Sequence, residues 1–212
     1  MKDNFFSKKN RRLITDPFGG QNPITVQVLG ICSALAITVQ LQQALVMALS
    51  VVVVMVCGNM IVSLLRNVIP SRIRIIVQLV VVSALVVSVD IVLKAFLPDL
   101  SEKLSVFVGL IVSNCIIMGR LEAFALGNKL WPSFLDGLGN AIGYGWILLA
   151  VAFFREFLGS GKIFGYQVLG QSFFDAGYLN NNLMILPPMA LIVVGLIIWV
   201  QRSRNKELIE EN

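Results

Sequence analysis

The chain has 212 residues and a formal net charge of +5, with 57% hydrophobic and 14% charged residues. Soluble domains average about 45–50% apolar and about 25% charged residues, and a soluble core of this length could not hide so much apolar surface. The composition therefore excludes a soluble globular protein and predicts an integral membrane protein.

The chain begins with a polar, basic stretch. The apolar segment after it shows no cleavage-site pattern, so we interpret residues 1–21 as a solvated N-terminal arm rather than a removable signal peptide. The arm lacks the dense mixture of aromatic and basic residues that a nucleic-acid surface needs, so no nucleic-acid partner is expected. Residues 203–212 are interpreted as a polar C-terminal tail. The basic residues of the arm are Lys2, Lys8, Lys9, Arg11 and Arg12.

Six apolar segments follow the arm and define a predicted membrane domain over residues 22–202. A bilayer core of about 30 Å requires about 20 apolar residues in a helix. The second, third, fifth and sixth segments are close to this length, whereas the first and fourth are short. In chain order the segments are Ile24–Val39, Leu41–Leu65, Ile73–Leu97, Leu104–Gly119, Leu138–Leu158 and Leu183–Val200.

The two short segments occupy corresponding places in the two halves of the chain. Each carries a cysteine near its middle, Cys32 and Cys115, with a glycine upstream, Gly30 and Gly109. Three crossings per half would orient the halves oppositely, as in inverted repeats whose interrupted helices meet near the bilayer midplane. The predicted fold is an all-α integral membrane protein of six transmembrane helices, built as two inverted three-helix repeats with short cysteine-bearing first and fourth helices. The alternative is a coincidence of two cysteines in two short helices.

The basic residues are divided unevenly between the predicted connections. Most of the 17 Lys and Arg residues fall in the arm, the tail and the connections around residues 66–74 and 120–129. Because cytoplasmic loops carry the excess of Lys and Arg, both termini are predicted to be cytoplasmic. The basic residues on the opposite side are Lys94, Lys103, Arg155 and Lys162.

Cys32 and Cys115 are the residues best suited to chemistry. The chain has no His and no CxxC pair, which excludes zinc fingers, His-ligated haem and His-dependent catalysis within it. Thiolates are soft ligands suited to iron–sulfur clusters, which normally take four protein ligands. An inverted repeat would bring the two cysteines together as half of such a set, and an oppositely inserted homologous subunit could supply the rest. The alternative is that both cysteines only pack between helices.

Two further candidates in the apolar segments have a structural interpretation. Cys57 has no counterpart in the second half, and buried cysteines are usually inert, so we predict a packing role. Asp90 is an intramembrane carboxylate and therefore a candidate cation site. Lys94 lies four residues later, however, and favours a local ion pair over a sodium or proton site.

The polar positions of the fifth segment are also interpreted structurally. Asp136, Arg155 and Glu156 are predicted to be interfacial charges at helix ends. The glycine-rich residues 131–144 are predicted to form a loop at a helix start that permits close helix contact. Neither these residues nor residues 159–165 have the lysine and hydroxyl pattern of a phosphate loop, so no nucleotide site and no catalytic residue is predicted.

Four stretches resemble a known family, the D subunits of sodium-translocating NADH:quinone reductases. The family also includes the E subunit of the related RNF complex, and the resemblance extends from about residue 22 to the last apolar segment. The stretches read NPITVQVLGICSALA (22–36), SVFVGLIVSNCIIMGRLEAFA (105–125), PSFLDGLGNAIGYGW (132–146) and FFREFLGSGKIFG (153–165).

The resemblance implies a multi-pass subunit of the bacterial inner membrane that works within an oxidoreductase complex and has no complete active site of its own. It implies that Cys32 and Cys115 hold a [2Fe-2S] cluster together with two cysteines of the homologous E subunit. The other implied partners are the A, B, C and F subunits of the complex and membrane lipid. The resemblance implies that electrons pass from NADH through FAD and an iron–sulfur centre of another subunit to this cluster. They then pass through FMN and riboflavin to ubiquinone, while Na⁺ is exported.

Three alternatives to this function stay open at the level of sequence. The first is an RNF-type subunit, which would connect ferredoxin rather than quinone to the electron pathway. The second is a stand-alone inverted-repeat transporter, for which Ser33, Ser113 and Asn114 are the polar groups that the short helices offer. The third is a scaffold subunit without iron.

Overall fold

The computed structural model describes residues 13–18, 22–70, 72–96, 109–160, 162–163, 166–167 and 186–204. These residues are almost entirely helical, as predicted, with a 3₁₀ turn over Asp16–Phe18, a π-helical turn over Leu121–Ala125 and one short antiparallel hairpin. The helices are α1 (Ile31–Ile37), α2 (Leu41–Leu65), α3 (Arg74–Phe96), α4 (Cys115–Arg120), α5 (Leu130–Ser160) and α6 (Pro187–Arg204), and the strands are β1 (Lys162–Ile163) and β2 (Tyr166–Gln167).

Three helices among the described residues, α2, α3 and α5, are long and apolar enough to cross a membrane; α6 is a shorter apolar helix. The predicted bounds of α2 are confirmed, and those of α3 agree to within one residue at each end. Such runs form helices because a helix satisfies its backbone hydrogen bonds internally, as lipid requires. The chain is therefore a membrane protein, while its six crossings and inverted repeat stay predictions. Residues 183–185 of the sixth segment lie outside the described residues.

Helix α5 begins at Leu130 rather than Leu138, so the prediction of a loop over residues 131–144 is wrong. Glycines have low helix propensity, but packing against a neighbouring helix can outweigh it. Gly137 is packed so closely against α2 that an added Cβ would lie 2.8 Å from Nδ2 of Asn59. The predicted role of glycine in close helix contact is confirmed at this position.

The two short segments are broken helices. Residues 24–30 form a turn followed by irregular backbone instead of the predicted helix, and α1 begins only after Gly30, whose φ is +82°. In the second short segment, a helical turn over residues 109–112 stops before Asn114, which is the N-cap of α4. Residues 104–108 lie outside the described residues. A helix of seven residues rises only about 10 Å, so neither α1 nor α4 crosses a bilayer core by itself.

The central contact of the fold is between α2 and α5, which pack along much of their lengths. Helix α3 lies at the side of this pair. Only 17% of its most apolar stretch is buried inside the protein, compared with 61% for α5. Its outward side chains are large and apolar, which is the surface that lipid or another membrane subunit requires. These exposed side chains include Ile76, Val80, Val87 and Ile91.

Part of the predicted solvated arm is packed on the helices. Residues 13–18 lie against α5, where glycines leave room for their backbone. A Cβ added at Gly139 would lie 2.5 Å from the carbonyl oxygen of Leu13, and one at Gly143 would lie 2.8 Å from that of Pro17. The solvated interpretation is therefore wrong for Leu13, Ile14 and Pro17, whereas Thr15 and Asp16 are exposed as predicted. The rest of the arm lies outside the described residues.

Candidate cofactor site at the two broken helices

The helices α1 and α4 begin next to each other. Nδ2 of Asn114, at the start of α4, donates a hydrogen bond of 3.3 Å to Oγ of Ser33 on α1. Cys32 precedes Ser33 in the chain, and Cys115 follows Asn114. The two cysteines predicted to work together thus flank one contact between the two halves of the chain.

The thiols and their polar neighbours face in opposite directions. Cys32 and Cys115 are exposed and free of disulfide bonds. Ser33 and Asn114 are each only 3% exposed. The hydrogen-bonding groups are therefore used inside the protein, while the two thiols are presented on its surface, where lipid or another subunit must cover them.

Tyr144 of α5 also contacts the two residues that form this hydrogen bond. Its hydroxyl lies 2.7 Å from Oγ of Ser33, which in turn donates to the carbonyl oxygen of Gly30 at 2.9 Å. The Tyr144 side chain is completely buried and also interacts with the side chain of Asn114. Sequence reasoning missed Tyr144 because nothing in its local pattern shows that α5 passes beneath both helix starts.

Asn114 has a structural role in the fold. From the sequence it was considered only as a polar group that a transporter could use. Its Oδ1 accepts a hydrogen bond from the backbone N–H of Ile116 at 3.3 Å, which makes it the N-cap of α4. Asn is among the preferred N-cap residues, so an Asn placed before Cys115 was a usable signal for a helix start inside this segment.

Gly30 and Gly109, which occupy similar places in the sequence, have different roles in the structure. Gly30 is in the left-handed region, and an added Cβ would lie 2.9 Å from Cε2 of Tyr144 and 3.3 Å from Oδ1 of Asn114. A Cβ at Gly109 would meet nothing within 4 Å. Only the first glycine is therefore required by backbone conformation and packing at the cysteine site.

Replacing Gly30 by alanine is expected to destabilise the site. A left-handed backbone alone costs a non-glycine residue about 1–2 kcal/mol, and displacement of the Tyr144 ring adds to this cost. The matched control is Gly109→Ala, which should be neutral or slightly stabilising because alanine is the better helix former. Thermal unfolding of the purified protein in detergent measures both, and equal effects of the two substitutions would contradict the assignment.

An ion pair joins Arg120, at the end of α4, to the buried carboxylate of Asp136 on α5. Arg120 donates to both carboxylate oxygens of Asp136, through Nε at 3.0 Å and through Nη2. Nδ2 of Asn140 also donates to Oδ1 of Asp136 at 3.0 Å, and the guanidinium of Arg120 lies 5.5 Å from the ring centroid of Phe124. Asp136 is only 1% exposed and lies in the second turn of α5, so its prediction as a charge at a helix end is wrong.

Arg155 and Glu156, near the end of α5, are also buried inside the protein, at 1% and 7% exposure. Nη1 of Arg155 donates to Oγ1 of Thr38 at 2.6 Å, just after α1. Oε2 of Glu156 accepts from the backbone N–H of Leu41 at 2.5 Å, at the first residue of α2. Helix ends leave backbone groups without intrahelical partners, and these two charges stabilise the connection between α1 and α2.

The predicted ion pair on α3 is confirmed. Nζ of Lys94 lies 2.6 Å from Oδ2 of Asp90, one helical turn away. This contact supports the structural interpretation of Asp90 over a cation site.

Cys32 and Cys115 supply only part of the ligand set that an iron–sulfur cluster needs. Within the described ranges, no group of three or more His, Cys, Asp or Glu side chains is placed to hold a metal ion. Cys57 lies on α2 with intermediate exposure, outside both broken helices. Cys32 and Cys115 are therefore two thiol donors on an open surface, which fits one side of a shared four-cysteine cluster and not a complete site.

Known proteins resemble this chain along nearly its whole length. It is 52% identical over 196 residues to a protein of Photobacterium profundum, covering 92% of this chain and 93% of the relative. It is 50% identical over 202 residues to a protein of Haemophilus ducreyi, covering 95% and 97% of the two chains. Both relatives are named as the D subunit of the Na(+)-translocating NADH-quinone reductase. Residues 11–198 match the family described as "Rnf-Nqr subunit, membrane protein", and the chain therefore belongs to the Rnf-Nqr family of membrane subunits.

Proposed function

We propose that this chain is the D-type membrane subunit of a sodium-translocating NADH:quinone reductase and holds one side of an intramembrane [2Fe-2S] cluster through Cys32 and Cys115. The observation that carries the proposal is the contact between Asn114 and Ser33, which joins the starts of two broken helices and leaves an exposed thiol beside each. The names of the full-length relatives supply the complex to which such a subunit belongs.

The site requires a second subunit. Two thiolates are half of the usual ligand set of a cluster, and charged groups facing lipid are costly. A homologous E-type subunit, inserted in the opposite orientation, would add two cysteines and cover the exposed thiols by the same pseudo-symmetric arrangement. The broken helices support the proposed six-crossing inverted repeat, because interrupted helices of this kind line functional sites in such folds. The remaining partners are the A, B, C and F subunits, which hold FAD, FMN and riboflavin.

The chain contributes binding, orientation and insulation. When bound, the cluster supplies one-electron transfer, which would relay electrons toward the flavins and quinone as Na⁺ is exported. Cys32 and Cys115 would bind it from the first turns of α1 and α4. The buried Ser33 and Asn114, paired with each other beneath the thiols, would close the protein side of the site, and the partner subunit would close the open side. Both termini would face the cytoplasm of the bacterial inner membrane.

The structure favours this function over a stand-alone transporter. A transporter site would need polar groups of the broken helices to be open to a substrate. Instead, Ser33 and Asn114 hydrogen-bond to each other, and Oγ of Ser113 donates to the carbonyl oxygen of Gly109 in its own segment at 3.2 Å. The relatives are named for the NADH:quinone reductase, which favours that complex over the RNF complex.

The experiment that tests the proposal compares the chain alone with the chain co-expressed with its partner subunit. Iron and acid-labile sulfide are quantified, and the reduced samples are examined by EPR. We expect two irons and two sulfides for each pair and none for the isolated chain, since two thiols alone should not retain a cluster. A well-folded pair without iron would refute the proposal, and a stable cluster in the isolated chain would refute the shared site.

A further inference from the structure

We propose that Tyr144 is a positioning residue that sets the placement of Cys32 relative to Cys115 through its side-chain contacts with Ser33 and Asn114, which meet at Oγ of Ser33. The inference deepens the proposed function and rests on it in one respect, that the two thiols bind the same cluster. Tyr144 would touch neither the thiols nor the cluster and would act only through the two helix starts.

The hydrogen bonds at Oγ of Ser33 have one consistent assignment of donors. A serine hydroxyl donates one hydrogen bond and accepts two. Its hydrogen goes to the carbonyl oxygen of Gly30, and Asn114 can only donate through Nδ2. With the Ser33 hydrogen on the carbonyl oxygen of Gly30, the hydroxyl of Tyr144 donates to Oγ of Ser33 as well. Every site on the Ser33 hydroxyl is used, which makes this a fully satisfied buried network.

This network joins three separate elements at one atom. Ser33 belongs to α1, Asn114 caps α4, and Tyr144 lies in the middle of α5. Helix α1 has seven residues, and α4 has six before it continues into the π-helical turn Leu121–Ala125, so both are short compared with α5. Helix α5 has 31 residues and packs along α2, which makes it the rigid element of the three. Contacts with α5 thus determine where both helix starts lie.

The Tyr144 ring is itself held in one place. It is completely buried, and its edge lies against Gly30, where an added Cβ would approach Cε2 to 2.9 Å. The hydroxyl has little freedom to seek another partner. Metal ligands must be held to within about 0.5 Å of their productive positions by side chains that are locked in place. A locked phenol bonded between the two cysteine-bearing helix starts meets this requirement.

The test substitution is Tyr144→Phe, which removes the hydroxyl and keeps the buried ring. The matched control is Tyr166→Phe, which makes the same chemical change in β2, outside the broken helices. Loss of one hydrogen bond corresponds to about a 2–12-fold change in an equilibrium between held and released positions. The expected change is therefore measurable without unfolding the protein.

The first measurement needs no iron. In the intact complex carrying Cys57→Ser, the cluster is removed with a chelator, and Cys32 is cross-linked to Cys115 with thiol reagents of increasing length. We expect the protein with Tyr144 to prefer one length sharply. Tyr144→Phe should weaken this preference about 2–12-fold, Ser33→Ala should do the same, and the double variant should be no worse because both remove one network. An unchanged length preference in Tyr144→Phe would overturn the proposal.

The second measurement uses the complex with its iron. Tyr144→Phe should keep the iron content but broaden the EPR spectrum and shift the midpoint potential, whereas Tyr166→Phe should change neither. Identical spectra and potentials for Tyr144→Phe and the unsubstituted complex would overturn the positioning role. If the unsubstituted complex contains no iron, the proposed function fails, and the cross-linking result still decides whether Tyr144 sets the spacing of the two thiols.

Discussion

Replacing either Cys32 or Cys115 by serine is expected to remove essentially all iron from the complex. Serine oxygen is a harder and less acidic donor than a thiolate and is poorly suited to an iron–sulfur cluster. Loss of a residue that merely supports a metal ligand lowers metal affinity about 10–100-fold, so loss of a ligand should cost at least as much. Iron and sulfide content and the EPR signal after reduction measure the effect.

The matched control for both substitutions is Cys57→Ser, which changes the third cysteine of the chain. Cys57 lies on α2 with intermediate exposure, outside both broken helices. This variant should keep the full iron content and the same EPR signal. If the iron content is unchanged in both Cys32→Ser and Cys115→Ser, these cysteines only pack between helices.

The second large effect is expected at the buried ion pair between α4 and α5. Arg120→Ala would leave the carboxylate of Asp136 buried with only Asn140 as a hydrogen-bond donor. Breaking a buried pair by removing one partner typically costs about 3–5 kcal/mol, because the remaining charge is uncompensated. The thermal stability of the purified protein in detergent should fall accordingly. The isosteric Asp136→Asn should also destabilise the protein, since it leaves the guanidinium of Arg120 without its carboxylate.

The control for the ion pair is a surface pair at the start of α3. Arg74 contacts Glu122, and the two side chains are 40% and 36% exposed. Exposed pairs of this kind contribute about 0–1 kcal/mol, so Arg74→Gln should have a small effect. The double variant Arg120→Met with Asp136→Leu should recover much of the lost stability, because replacing a buried pair by apolar residues is often neutral. A double variant as unstable as Arg120→Ala would contradict the electrostatic explanation.

The sequence was most reliable for α2 and α3, where long uninterrupted apolar runs leave the chain no alternative to a helix in a membrane. It was least reliable for α5, which begins at Leu130. There the glycines predicted a loop, because the residues against which they pack, such as Asn59 on α2, are distant in the chain. The charges at Asp136 and Arg155 were misplaced for the same reason, since their partners come from other segments.

By itself, the sequence determined that this is a membrane protein and that Cys32 and Cys115 are its two unusual thiols, because composition, segment length and residue chemistry are local properties. Only the tertiary structure decided that two broken helices begin side by side, that Gly30 and not Gly109 is constrained, and that Tyr144 lies beneath both starts. Hydrogen bonds such as that between Ser33 and Tyr144 join residues 111 positions apart in the chain. Contacts over such separations depend on how α5 packs on α2, which no local pattern specifies.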